Sequence, residues 1–198
     1  ERPLRDIDMV VQKKDIKRIV YILKKNGYRF EYDIDESSLD NFLINSYDIP
    51  VLVGKNGSRL EVHFSIEKSS TEKECSLTKN FFKDSKKIKY GNSCIRVPTE
   101  EDLILHLIYH GLKKQGPNVG IIFISDIFKI LSSENYSGFN LIKKAKLYNL
   151  LPHLKIIVEL LCKKSNESNI QLLNKQIDLN IDSNTIKSLE FLLIRNDI

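Results

Sequence analysis

Polar and apolar residues alternate along Arg5–Gln12 (RDIDMVVQ) before the run turns apolar, as expected of a strand buried on at least one face. From Asp15 to Lys25 the spacing changes. Ile16, Ile19, Val20, Ile22 and Leu23 recur as on one side of a helix, and Asn26-Gly27 supplies the stop. Tyr28–Tyr32 is predicted to re-enter a sheet, and the polar stretch Asp33–Asp48 predicts only a short helix around Leu39–Ile44. Pro50–Val53 and Ser58–Ile66 are strands joined through Gly54-Lys55-Asn56-Gly57, where Asn-Gly between apolar runs is a hairpin signal. Lys86–Tyr90 and Ser93–Val97 predict a second hairpin turning at Gly91-Asn92.

From Pro98 the pattern becomes helical. Thr99 followed by Glu100, Glu101 and Asp102 reads as an N-cap with an acidic first turn, which complements the helix dipole. That helix is predicted to run through Leu103, Leu107 and Ile108 towards Gly111. Further helices are predicted around Ile121–Leu131, Phe139–Tyr148, Leu151–Lys163, Ile170–Ile177 and Asn184–Ile194. Strands first and helices afterwards predict an α+β protein: a small mixed sheet with flanking helices over residues 1–97, then a helical lobe over 98–198. There is no internal repeat and no low-complexity tract.

Composition changes this picture little. At 198 residues, 41% apolar and 29% charged, the chain holds enough apolar material for a core and is too mixed in charge for a disordered one. The formal charge of +5 suits phosphate-bearing ligands, but a Lys/Asn/Ile-rich composition produces the same excess. The lysines fall in scattered pairs rather than one compact stripe, which counts against a nucleic-acid-binding role. Cys75, Cys94 and Cys162 are far apart, odd in number and without C-x-x-C spacing, so neither a disulfide framework nor a zinc site follows, and a reduced cytoplasm is expected. No apolar run approaches the ~18–20 residues of a membrane span.

The candidate chemistry begins with Asp6 and Asp8. Residues two apart on a strand share a face, so the two carboxylates project together while Ile7 and Met9 face the other way. Adjacent carboxylates repel, and a hard divalent cation removes that repulsion by taking oxygen ligands from both; a solvated edge carrying two acids has the same pattern. Along Arg59–Ile66, Leu60, Val62, Phe64 and Ile66 share one face, and Glu61 and His63 share the other. Three carboxylates on adjacent strands are what a two-metal phosphoryl-transfer site needs. His106 and His110 stand four apart, a spacing that can ligate zinc, but without a third ligand a structural role is expected. Asp126 is expected in a buried salt bridge, and Lys143, Lys144 and Lys146 on a wet helix face. Lys113-Lys114 is expected as a solvated helix end, and Tyr28, Tyr32 and Tyr47 are too dispersed for a base-stacking platform.

The run ERPLRDIDMVV, the helix ending in Asn-Gly-Tyr, LEVHFSI, VPTEEDLILHLIYHG and FISDIFKIL together resemble the uncharacterised nucleotidyltransferase family of the polymerase-beta-like superfamily. The resemblance covers Glu1 to Leu131 and then thins out. It implies an Mg²⁺- or Mn²⁺-dependent transfer of a nucleotidyl group from a nucleoside triphosphate to a hydroxyl acceptor, whether small molecule, protein or RNA end. By that resemblance Asp6 and Asp8 hold the metals, and Glu61 is the third carboxylate, as ligand or base. Arg2 is then a phosphate or sheet-bracing contact, and His63 stands beside the site. The family also carries, upstream of Asp-x-Asp, a Gly-containing turn that grips the triphosphate through backbone N–H groups. Gly57-Ser58 is explained by hairpin geometry and does not replace it, so an upstream segment is expected. A chain without that turn is expected to be a catalytically incomplete binding or regulatory module.

Overall fold

The computed structural model describes residues 6–67, 76–114, 122–133, 136, 138–180 and 182–188. Arg2, Cys75 and the far end of the last predicted helix lie outside these. The chain divides into two compact units, Glu1–Lys79 and Asn80–Ile198, so the second hairpin is grouped with the helices.

In the first unit the opening alternation forms β1 (Ile7–Val10), and a 3-10 turn over Lys13–Asp15 leads into α1 (Ile16–Lys25). The helical stop is as predicted: the chain leaves α1 through Gly27 at φ +88°. The predicted strand at residues 28–32 shrinks to β2 (Arg29–Phe30), and the short polar helix grows into α2 (Glu36–Asn45). Its extra turn is stabilised by Asp35, whose carboxylate caps the helix by accepting from Ser38 N at 2.7 Å. The first hairpin pairs β3 (Leu52–Val53) antiparallel with β4 (Arg59–His63), turning on Gly57 at φ +79°.

The four strands make one mixed sheet in the order β1-β4-β3-β2. β1 runs parallel to β4, with Ile7, Asp8, Met9 and Val10 opposite Leu60, Glu61, Val62 and His63. Leu52, Leu60 and Val62 on one face pack with Ile16 and Val20 of α1, Leu39 of α2, and Val11 and Ile49. The helices therefore cover one face of the sheet by burying apolar area. The face they leave open is the polar one. Next comes α3 (Ser76–Lys83), a helix whose pattern is too brief to announce itself in the sequence and whose first four residues belong to this unit; its Thr78 Oγ1 accepts from Ile66 N at 2.9 Å.

In the second unit β5 (Lys86–Tyr90) and β6 (Ser93–Val97) form the second predicted hairpin as a two-stranded ribbon. Helices follow: α4 (Glu100–Ile108), α5 (Ile122–Leu131), α6 (Phe139–Leu147), α7 (Leu151–Lys164) and α8 (Ser168–Gln176). Residues 183–188 are also helical. α4 does not stop near Gly111 but continues as a π-helix, Tyr109–Lys114. Gly111 permits close packing there, because a Cβ at this position would stand 2.9 Å from the Phe123 ring.

Thr99 does cap α4, accepting from Asp102 N at 3.2 Å and donating to Asp102 Oδ2 at 2.7 Å. Asp102 is more than a helix-dipole partner, since it is 0% exposed and bonded by Lys144 Nζ at 2.8 and 2.7 Å. Lys144 therefore leaves the wet face expected for it; Lys143 and Lys146 stay exposed. Burial alone would lower the Lys144 pKa, but hydrogen bonds to Asp102 and Asp84 outweigh it and hold the ammonium above its ordinary value. Asp126, expected in a buried salt bridge, is only half-buried.

Candidate active site on the open face of the sheet

Strand parity and register together build the site. In β4, Leu60 and Val62 turn to the helices, so Arg59, Glu61 and His63 take the open face. The parallel register sets Asp8 directly opposite Glu61. Asp8, Glu61 and His63 can each offer a ligand atom, and these atoms lie within 4.8 Å of one another. Among the described residues they are the one such group of three or more potential metal ligands. The His63 ring spans the group, with Nε2 3.1 Å from Asp8 Oδ1 and 3.6 Å from Glu61 Oε2. Exposure is graded across it: the side chains of Asp8, Glu61 and His63 are 61%, 35% and 15% exposed.

Two further residues belong to this face although the sequence patterning did not single them out. Asp48 forms an antiparallel bridge with His63, and its Oδ2 stands 3.8 Å from His63 Nδ1. Ser46 Oγ donates to Asp48 Oδ1 at 2.6 Å. Simple alternation back from β3 would put Asp48 against the helices. Instead, four residue steps separate Asp48 from Leu52 while three separate His63 from Leu60, so one extra residue is accommodated. This is a bulge over residues 49–51, and it contains Pro50, which has no N–H to give a ladder. The bulge lets Ile49 and Leu52, an odd number of residues apart, both enter the core, and it returns Asp48 to the open face. The second residue is Arg59, whose guanidinium forks onto the Glu31 carboxylate. Those hydrogen bonds, then the charges of Glu31, Glu61 and Asp6, hold it yet more firmly protonated.

Electrostatics single out Glu61. Burial first, then the negative charges of Asp8 and Asp6, push its carboxyl above the ordinary glutamate value; His63 opposes and Asp48 adds to the rise. Asp6 is thus close enough to act on Glu61, but it is exposed at the mouth of β1 and outside the tight group of three. His106 and His110 do lie together, ring centroids 5.9 Å apart, and Phe81 meets His106 edge-on at 6.0 Å.

The donor set suits a divalent cation. Two carboxylates supply hard oxygen ligands, and an imidazole within the same span adds a nitrogen that Mn²⁺ or Zn²⁺ accepts more readily than Mg²⁺. The residues present therefore fit the group that the resemblance implies.

A small mixed sheet with helices on one face, its parallel pair presenting Asp-x-Asp beside Glu-x-His on the other, and a helical region after it, is consistent with the nucleotidyltransferase fold. The chain belongs to a family described as uncharacterised nucleotidyltransferases, which matches residues 1–163. No curated protein matches it. Membership implies a nucleotide substrate, and the family generally uses a divalent metal. Among the described residues no helix is long and apolar enough to cross a membrane.

Proposed function

We propose that this chain catalyses divalent-metal-dependent transfer of a nucleotidyl group from a nucleoside triphosphate to a hydroxyl acceptor. The observation that carries the reading is the convergence of Asp8, Glu61 and His63 ligand atoms within 4.8 Å on an open sheet face of a nucleotidyltransferase-family chain. Asp6 and Asp8 hold the metal, with Glu61 as third carboxylate and His63 beside them. A bound Mg²⁺ or Mn²⁺ supplies Lewis acidity and neutralises phosphate charge during displacement of pyrophosphate. Glu61, level with Asp8 on the open face, is the candidate to accept the acceptor hydroxyl's proton as oxygen attacks the α-phosphorus. Asp48 is a positioning residue for His63: its carboxylate, 3.8 Å from Nδ1 and beyond hydrogen-bond length, electrostatically favours the ring orientation that turns Nε2 to Asp8 and Glu61. Arg2 and Arg59 are the candidate phosphate contacts, Arg2 by resemblance and Arg59 by its place on the same face as Glu61.

Isothermal titration of Mg²⁺ and Mn²⁺, with and without ATP, GTP, CTP and UTP, tests this on the chain and on Asp6→Ala/Asp8→Ala. Metal-dependent nucleotide binding that vanishes in the double variant is expected. Metal binding without nucleotide favours the catalytically incomplete regulatory module. A folded chain that binds neither sinks the carboxylate-site reading.

A further inference from the structure

The chain's net charge is concentrated in one short element. Residues 86–97 contain Lys86, Lys87, Lys89 and Arg96 and no acid, which leaves 27 of the 31 cations against 26 acids elsewhere. Four of the five excess positive charges therefore sit on the β5–β6 ribbon. Its register sets Lys87 opposite Arg96 and Lys89 opposite Cys94, and opposed residues share a face. Lys87, Lys89 and Arg96 thus form a basic patch on one face. The other face carries Ile88 opposite Ile95, Tyr90 opposite Ser93, and Lys86 opposite Val97. Both faces are open: every residue of the two strands except Val97 is exposed, and Tyr90 at the tip is 74% exposed. Arg96 Nη1 donates to Ser85 Oγ at 2.9 Å, which tethers the patch at its base.

We propose that this ribbon is a docking surface for a single-stranded nucleic acid. Charge complementarity selects a polyanion. Lys87 and Lys89, two residues apart on one strand, stand about 6.8 Å apart along it, so successive cations meet a repeating anion rather than one point charge. The exposed tyrosine selects for bases: it stands at the ribbon's tip on the face opposite the patch, where a strand crossing the edge can stack a base on it while its phosphates stay with the cations. A bilayer fits less well, since Ile88, Ile95 and Tyr90 lie on the face opposite the basic patch and inserting them would turn those cations away from the headgroups. An acidic peptide would use the cations and leave Tyr90 idle. A strand running along the ribbon's edge uses both faces, phosphates on one and bases on the other. The inference goes beyond the transfer chemistry of the carboxylate face and does not depend on it.

The test is fluorescence anisotropy of a labelled single-stranded RNA dodecamer titrated with the full chain in EDTA, at several KCl concentrations. EDTA silences any metal at the carboxylate site, so the two readings fail separately. Three phosphate contacts, from Lys87, Lys89 and Arg96, predict that log Kobs falls against log[KCl] with a slope of about −2.1. The variant K87E/K89E/R96E, whose side chains are all exposed, should flatten that slope by roughly 2 and weaken binding at least tenfold. Y90A should cost roughly five- to hundredfold in affinity, as for one lost base stack. Asp8→Ala should bind like the wild type. The proposal is overturned by any of four results: no binding by the folded wild type, no effect of the triple substitution, equal affinity for a blunt duplex of the same length, or capture by phosphatidylserine vesicles in place of RNA. If the charge-reversed variant does not fold, K87Q/K89Q/R96Q gives the same test without new repulsions.

Discussion

Replacing Glu61 with glutamine removes one negative charge from an acidic face while keeping the side chain's shape. In the metal-free protein this should stabilise the fold. Glu61 faces Asp8 across the register and feels Asp6 as well, and its carboxyl is held above the ordinary glutamate value. A raised folded-state pKa means that the ionised form is disfavoured in the native protein. The associated stability is therefore fully present below the unfolded pKa and lost as pH rises through the folded one. At neutral pH the wild type thus carries a cost that the glutamine variant lacks. The side chain is 35% exposed, so the solvent-screened Coulomb value is the appropriate one. Two unit charges ~4 Å apart repel by about 1 kcal/mol in water. His63 offsets part of this, leaving a gain of roughly 0.5–1 kcal/mol and a rise of about 1–4 °C in the melting midpoint. Divalent metal should invert the order. An ion at a hundred times its Kd adds about 2.7 kcal/mol to the protein that binds it, and Glu61→Gln forfeits most of that increment. Thermal melts in EDTA and in millimolar Mn²⁺, at pH 5 and 7.5, read both effects. A variant less stable than wild type in EDTA would refute the electrostatic reasoning, and an equal Mn²⁺ shift in both proteins would refute the ligand assignment.

Other expectations follow from single contacts. Asp48→Ala should leave the melting midpoint in EDTA nearly unchanged but weaken Mn²⁺ binding by about fivefold, because a negative charge worth about 1 kcal/mol at ~4 Å is lost from beside His63; calorimetric titration measures this. Lys144→Met leaves Asp102 buried without its ammonium partner, and urea unfolding should show a loss of about 3–5 kcal/mol. Because the Lys144 pKa is raised, the wild-type contribution should persist below the unfolded lysine pKa and fade as pH climbs through the folded one. Gly111→Ala drives a Cβ to 2.9 Å from the Phe123 ring and should cost about 1–3 kcal/mol in the same assay.

Much of the candidate site's geometry was legible in the sequence because strand parity is a local rule. Asp6-x-Asp8 and Glu61-x-His63 declare their shared faces through Ile7, Met9, Leu60 and Val62, and the parallel register then brings Asp8 level with Glu61. Asp48 was not legible, because its facing depends on an extra residue in the strand, which alternation cannot count. Lys144 was missed for a related reason: flanked by Lys143 and Lys146, it resembles a solvated face until tertiary packing brings Asp102 and Asp84 to it. The scattered lysine pairs gave no basic stripe until β5 and β6 paired, since a cross-strand patch is contiguous only in space.

The bulge at residues 49–51 gives this site a point at which chain length can change without moving its acids. Removing a single residue there, Pro50 for instance, would leave three steps from Asp48 to Leu52, matching the three from His63 to Leu60, so plain alternation would keep the Asp48 carboxylate on the open face. Asp48 would then still stand opposite His63, and only the extra residue between it and the hairpin would be lost. A chain one residue shorter here can therefore present the same acids on the open face, although its spacing differs. Related chains are better compared by which residue pairs with this histidine than by spacing from the hairpin.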